Sequence, residues 1–343
     1  MSIRVRYVIA ATVALATAGV TALTLPASAS PRAPARHHAA AAPRASALPA
    51  HVLMGYWQDF TNGAPVLKLS QVPKSYGLVA AAFSTQTTTP GQVAFFIDKA
   101  IESATQFKAD VKTLEARGQH VILSVGGALG NVDVLNAAEA TEFAKSMHYM
   151  MVKWGFQGVD IDLEGGVNPT FMASALQQLR ALAGPNLIIT MAPQTTDVYN
   201  NSSDYYVLAL KIKDILTMMN VQYYNTSGAW DCNNNLQDVG TENILTGLTC
   251  ALIHGSPLIA GGLSPSQIGV GLPASPSAAG GYQSPSVVND AMDCIAALTH
   301  CGSFVPPTAY PAIRGVMTWD ISWDAANGYN FADTVAPHLA TLP

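Results

Sequence analysis

Eight short apolar runs punctuate the chain: Val52–Trp57, Leu78–Ser84, Val121–Gly126, Val159–Glu164, Leu187–Ala192, Leu216–Tyr224, Ile268–Leu272 and Gly315–Trp319. The segments between most of them are of helix length. Two of these, Phe96–Arg117 and Val134–Trp154, repeat apolar residues every three or four positions. Runs such as LVAAAF, VILSV and LIIT are apolar on both strand faces, as parallel strands buried between a core and a helix layer must be. Eight such units in roughly 290 residues predict an α/β fold, a (β/α)8 TIM barrel. An open doubly wound sheet is the alternative, but no GxGxxG follows the first run.

A barrel of this kind carries its chemistry at the C-terminal ends of its strands. Polar residues gather at those ends: Ser84, Ser124, Asp160, Asp162, Glu164, Gln194, Gln222, Tyr224, Asn225, Trp319 and Asp320. The sharpest cluster is GVDIDLE, residues 158–164. Strand residues two apart share a face at a spacing of about 6.6 Å. Asp160, Asp162 and Glu164 therefore point one way, and Val159, Ile161 and Leu163 the other. Three inward carboxyls are costly unless paired, protonated or used. Their repulsion raises at least one pKa, as a general acid requires. The same spacing could instead hold a divalent cation through oxygen ligands. The neighbouring strand ends, however, offer mainly Gln, Tyr, Asn and Trp, which suit a neutral sugar better.

The segment FQGVDIDLE resembles the signature of glycoside hydrolase family 18, Asp-Gly-x-Asp-x-Asp-x-Glu on the fourth barrel strand. Ser124-Val125-Gly126-Gly127 is similar to that family's SxGG motif on the third strand. Met191-Ala192-Pro193-Gln194 fits the fifth, Val221-Gln222-Tyr223-Tyr224-Asn225 the sixth, and Trp319 in VMTWD the last-strand tryptophan that floors a sugar subsite. The motifs fall in strand order and span nearly the whole domain. One position departs: Gln157 stands where the motif has its first Asp, so altered support for Asp160 is expected.

The resemblance implies substrate-assisted, retaining glycoside hydrolysis. Glu164 protonates the glycosidic oxygen and later activates water. The substrate's own C2 acetamido oxygen attacks C1. Asp162 orients the acetamide N–H, Tyr224 binds the acetamide oxygen, and Asp160 shares a proton with Asp162 as one coupled pair. Trp319, Gln222, Asn225 and Gln194 become candidate sugar-binding residues, and Trp57, near a strand end, is added as a candidate for a more distant subsite. No cofactor and no metal is called for. The expected activity is an endo-acting chitinase, with chitin or N-acetylglucosamine oligosaccharides as partners. Leu272 and Gly315 lie too close in sequence for a wall-forming insertion between the last two strands. An endo-β-N-acetylglucosaminidase acting on N-glycans and a non-catalytic lectin-like protein are the alternatives, the latter disfavoured by intact Asp162 and Glu164.

The two ends of the chain differ in charge. Residues 1–49 hold five Arg and no acid, leaving 12 of the 17 basic residues against all 22 acidic ones, a net −10. A domain that acidic lacks the basic footprint of a nucleic-acid binder. Arg4 and Arg6 precede an apolar run from Tyr7 to Leu25 and then Ala27-Ser28-Ala29, so residues 1–29 read as a signal peptide. Residues 30–49 are an Ala/Pro-rich linker or tail, and 50–343 the catalytic barrel. A secreted monomer, off the membrane after cleavage, is expected. Cys232, Cys250, Cys294 and Cys301 fit that compartment as two disulfides, with the local pairings 232–250 and 294–301 favoured among three connectivities.

Overall fold

The computed structural model describes residues 48–343; the expected signal peptide and nearly all of the linker lie outside the described residues. Eight parallel strands close on themselves: β1 (Val52–Gln58), β2 (Leu78–Gln86), β3 (His120–Gly126), β4 (Gly158–Asp162), β5 (Ile188–Met191), β6 (Met218–Gln222), β7 (Ile268–Pro273) and β8 (Gly315–Trp319). Each strand pairs with its neighbours in sequence. β1 closes the ring by pairing with β2 (Met54 to Leu78) and with β8 (Val52 to Gly315). The (β/α)8 barrel is the fold.

Alternation within each strand then divides the core in two. Val52, Met54, Leu78, Ala80, Ile122, Ile188, Met218 and Met317 fill the inside of the barrel. Leu53, Val79, Val121, Val159, Ile189, Val221 and Val270 face out to the helices. Burial on both faces is why these strands read as continuous apolar runs.

The helices are α1 (Ala104–Ala116), α2 (Ala137–Trp154), α3 (Pro169–Ala183), α4 (Asp204–Lys211), α5 (Glu242–His254), α6 (Pro285–Ala297), α7 (Ile321–Ala326) and α8 (Asn330–Leu339). Their starts follow from capping chemistry. Asn136 accepts the N–H groups of Ala138 and Glu139 at 3.0 and 3.1 Å, and Asn168 caps α3 with Pro169 just inside. Two crossovers depart from expectation. The β1–β2 connection holds only a single 3₁₀ turn, Leu69–Gln71, and α8 packs against β1. The first helix starts at Ala104 rather than near Phe96. Asp98 caps a single turn, its side chain accepting the N–H of Ala100 at 2.8 Å and its carbonyl those of Ile101 and Glu102 at 3.0 and 3.1 Å; that turn ends before Ser103, which caps α1. Residues 96–103 become a loop at the rim instead.

Both favoured disulfides are present, Cys232–Cys250 and Cys294–Cys301. The first joins the loop after β6 to α5 across 18 residues. Loop-closure entropy puts such a cross-link at about 3 kcal/mol. Cys232→Ser with Cys250→Ser should therefore lower unfolding free energy by about that amount in a denaturant melt, whereas an unchanged midpoint would remove the bridge from the account of stability.

Candidate active site

At the C-terminal mouth of the barrel, inward side chains of β1, β3, β4, β5, β6 and β8 converge beneath a cavity of about 560 Å³. Its deepest carboxyl is Asp160, fully buried and bound by three hydroxyls. Tyr56 (2.8 Å) and Ser124 (2.7 Å) donate to one oxygen, and Thr190 (2.6 Å) to the other. These come from β1, β3 and β5, so one carboxylate ties three strands to β4. Burial raises its pKa, and the three donors oppose that shift. Both oxygens are thus already taken by hydroxyl donors, which suits an anion and not a cation-binding oxygen set.

Asp162 stands above it, 3% exposed, with Gln222 Nε2 donating to Oδ1 at 3.0 Å. Burial pushes its pKa well up, and the charges of Asp160 and Glu164 push further; the Gln222 bond only partly opposes them. The three hydroxyls on Asp160 favour its anion, while burial and the neighbouring carboxyls favour the neutral form of Asp162. Glu164 lies two residues beyond the last strand residue, not within the strand as expected. Tyr205 of α4 accepts the Leu163 N–H at 2.7 Å and fixes that exit. Glu164 is half-buried and lines the cavity; Gln194 Nε2 approaches it at 3.3 Å. Burial raises its pKa too, against the bonds from Gln194 and Gln222. The result is a column of three carboxyls, two of them buried and the third, Glu164, half-buried at the top.

Trp319 forms the floor. Its ring stacks on Phe83 (5.8 Å, 14°) and Phe60 (6.5 Å, 27°), and Tyr56 tilts against it at 5.4 Å. A broad aromatic platform beside a carboxyl column is a surface for a sugar ring. Asp320, next in sequence, caps α7 by accepting the N–H groups of Ser322 (2.8 Å) and Trp323 (3.0 Å), and burial pushes its carboxyl up to about 7. Gly126 and Gly127 have φ of 110° and 76°, and a Cβ on Gly127 would meet the Phe83 ring at 2.6 Å. Two glycines are needed for that turn to pass under the platform.

Most of the expected site residues meet here: Asp160, Asp162, Glu164, Tyr224, Gln194, Gln222 and Trp319 all surround or underlie the one cavity. Asn225 also lines it, but its backbone N–H and Oδ1 are committed to Gly280, at 2.9 and 3.0 Å, and brace the loop that carries Ala278. Trp57 is the exception. It is fully buried on the outer face of β1, donates to the Leu67 carbonyl at 2.9 Å and packs on Phe107 at 5.4 Å. It belongs to the layer between strands and helices, not to a subsite. Gln157 also falls on the outer parity, where its Oε1 accepts the Val121 N–H at 3.1 Å; it makes no contact with Asp160, whose support comes from the hydroxyls instead. Tyr56, Thr190, Phe60 and Phe83 are the residues that sequence reasoning missed.

Residues 52–332 match the model of the family described as Glycosyl hydrolases family 18. A solved structure from Streptomyces coelicolor is 49% identical, covering 85% of this chain and 99% of its own, with a TM-score of 0.83. A family GH18 chitinase from Chromobacterium violaceum is 34% identical over 85% of this chain and 84% of its own, with a TM-score of 0.81. Exochitinase 1 of Streptomyces olivaceoviridis is 29% identical over 331 residues, 84% of this chain; the match spans 55% of that relative's length.

Proposed function

Since the chain belongs to glycosyl hydrolase family 18, we propose that it is a chitinase that hydrolyses β-1,4-linked N-acetylglucosamine polymers by substrate-assisted, retaining catalysis. The observation that carries this reading is the carboxyl column beside the Trp319 platform. Glu164, half-buried with a raised pKa, is the general acid. A conventional retaining enzyme needs a carboxylate nucleophile about 5–5.5 Å from the acid, on the opposite face of the sugar. The nearest carboxyl here, Asp162, is on the same column, and in this reading it carries the proton it shares with Asp160. The substrate must then supply its own nucleophile, the C2 acetamido oxygen, which attacks C1 as the C1–O bond breaks and Glu164 delivers its proton to the leaving oxygen. Asp162 accepts the acetamide N–H while its own proton moves toward Asp160, and the pair's negative charge offsets the oxazolinium. Tyr224, whose hydroxyl stays neutral because burial and the site carboxylates raise its pKa, donates to the acetamide oxygen. Water activated by Glu164 then opens the ring from the same face.

The mode of attack is read as endo. Residues 274–314, between β7 and β8, contain α6 and no strand, so no added wall closes over the cleft. We read the protein as secreted: residues 1–29 have the pattern of an export signal, and both disulfides suit an oxidising compartment. Among the described residues no helix is long and apolar enough to cross a membrane.

A single panel tests the reading: colloidal chitin, a viscous soluble chitin derivative, fully deacetylated chitosan and a high-mannose glycopeptide. Chitin should be cut, the viscosity of the derivative should collapse before reducing ends accumulate, and fully deacetylated chitosan should survive for want of an acetamide oxygen. Cleavage of the glycopeptide alone would favour the N-glycan enzyme, and cleavage of fully deacetylated chitosan would end substrate assistance.

A further inference from the structure

The cleft's far end, three strands round the barrel from β4, holds a second group of carboxyls. Asp59, just past β1, and Asp98, in the loop between β2 and α1, both line the cavity there. Both carboxylate oxygens of Asp59 receive the single N–H of Asp98, at 2.9 and 3.0 Å. Glu102 lies behind them, 5% exposed, with one oxygen on the Leu69 N–H. Among the described residues, no Lys or Arg nitrogen comes within 4 Å of any of the three as an ion pair. Lys153 is occupied over the ring of Phe96, at 5.6 Å. Lys68 offsets part of the charge of Glu102, and neither lysine forms an ion pair with Asp59 or Asp98. Burial, with repulsion from Asp98 and Glu102, pushes Asp59 up to about 7.

Aromatic rings lead to this end. Phe60 continues the stack of Trp319 and Phe83, and Phe96, 75% exposed, stands on the rim beyond. A sugar chain lying along that platform brings a C2 substituent past Asp59 and Asp98. An acetamide there would offer the two acidic side chains one N–H and no charge. A protonated amine would supply the missing positive charge, and in a partly desolvated wall that difference is worth far more than in water.

We propose that the end of the cleft between the loops following β1 and β2 takes a deacetylated, positively charged 2-amino sugar. The polymer cut fastest then carries an acetylated unit at Glu164 and a cationic unit a fixed number of residues away. This rests on the chitinase reading and adds a substrate class to it: partially deacetylated chitin. The net −10 of residues 50–343 favours the same partner, because a polycation is steered toward an acidic domain.

The test is product sequencing. A soluble chitosan with about half its units acetylated is digested, and fragment sequences are read by mass spectrometry from both ends of the cut. The expected result is acetylated sugar at the cleavage site and several-fold enrichment of the free amine at one fixed position. That enrichment should fall between about 0.05 M and about 1 M NaCl, and vanish in Asp59→Asn/Asp98→Asn, which keeps the shape and the acceptor for the Asp98 N–H. A random amine distribution at every position in the wild-type products overturns the proposal, whether or not the variant folds. Enrichment that persists in a folded variant, verified by circular dichroism, does so as well. Failure to cut any acetylated substrate refutes the chitinase reading instead, so the two failures are distinguishable.

Discussion

Glu164→Gln should lower kcat on N-acetylglucosamine oligomers by about 10³–10⁴-fold, or about 4–5.5 kcal/mol of barrier, while leaving oligomer binding measurable. The amide preserves the shape and the contact with Gln194 but has no proton to give, and it cannot later take one from water. Burial raises the pKa of the wild-type acid against the donors from Gln194 and Gln222, which favours its protonated form. Activity should therefore decline on the alkaline side as Glu164 ionises, with the limb above the ordinary carboxylate range. Steady-state kinetics with a binding isotherm on the same oligomer checks both halves. A variant with turnover near wild type would show that another group delivers the proton.

Much of this site could be read from residue order alone, because strand alternation fixes relative parity within a polar strand. Asp160, Asp162 and Glu164 are separated by apolar residues, so their common face is unambiguous. Where both faces are apolar, that information is missing. Val52–Trp57 offers no charged residue to mark the inside, so Trp57 reads as a subsite candidate although its neighbour Tyr56 is the one that turns inward to Asp160. Parity is set there by pairing to β2 and β8, a long-range fact. Thr190 was hidden for a related reason: a hydroxyl in an apolar run reads as a tolerated β-branched residue until a carboxylate across the barrel gives it a partner. Phe60 and Phe83 come together through the pairing of β1 with β2, which sets Gln58 beside Ala82. The apolar spacing from Phe96 runs through one isolated turn capped by Asp98, and a second cap at Ser103 starts the helix proper.

Asp162→Asn should cost about 10²-fold in kcat with little change in KM, the loss typical of removing one preorganised charge from a transition state. The amide copies the protonated ground state: it is neutral, of the same size, and still within reach of Gln222. What it lacks is the ability to become negative as positive charge develops on the sugar. Folding should not confound the measurement. The pKa of Asp162 is raised in the folded state, so the wild-type carboxyl costs stability as pH rises above its unfolded value and toward its folded one. A permanently neutral amide escapes that cost, and the variant should melt no lower than wild type near neutral pH. Removing the mobile proton also uncouples Asp160, which the hydroxyls of Tyr56, Ser124 and Thr190 keep ionised. The pH–rate profile should then lose the contribution of the pair and retain that of Glu164. Unchanged kcat in a stable Asp162→Asn would leave the acetamide oriented by Tyr224 and Gln222 alone, and would confine the Asp160–Asp162 pair to holding β4 in place.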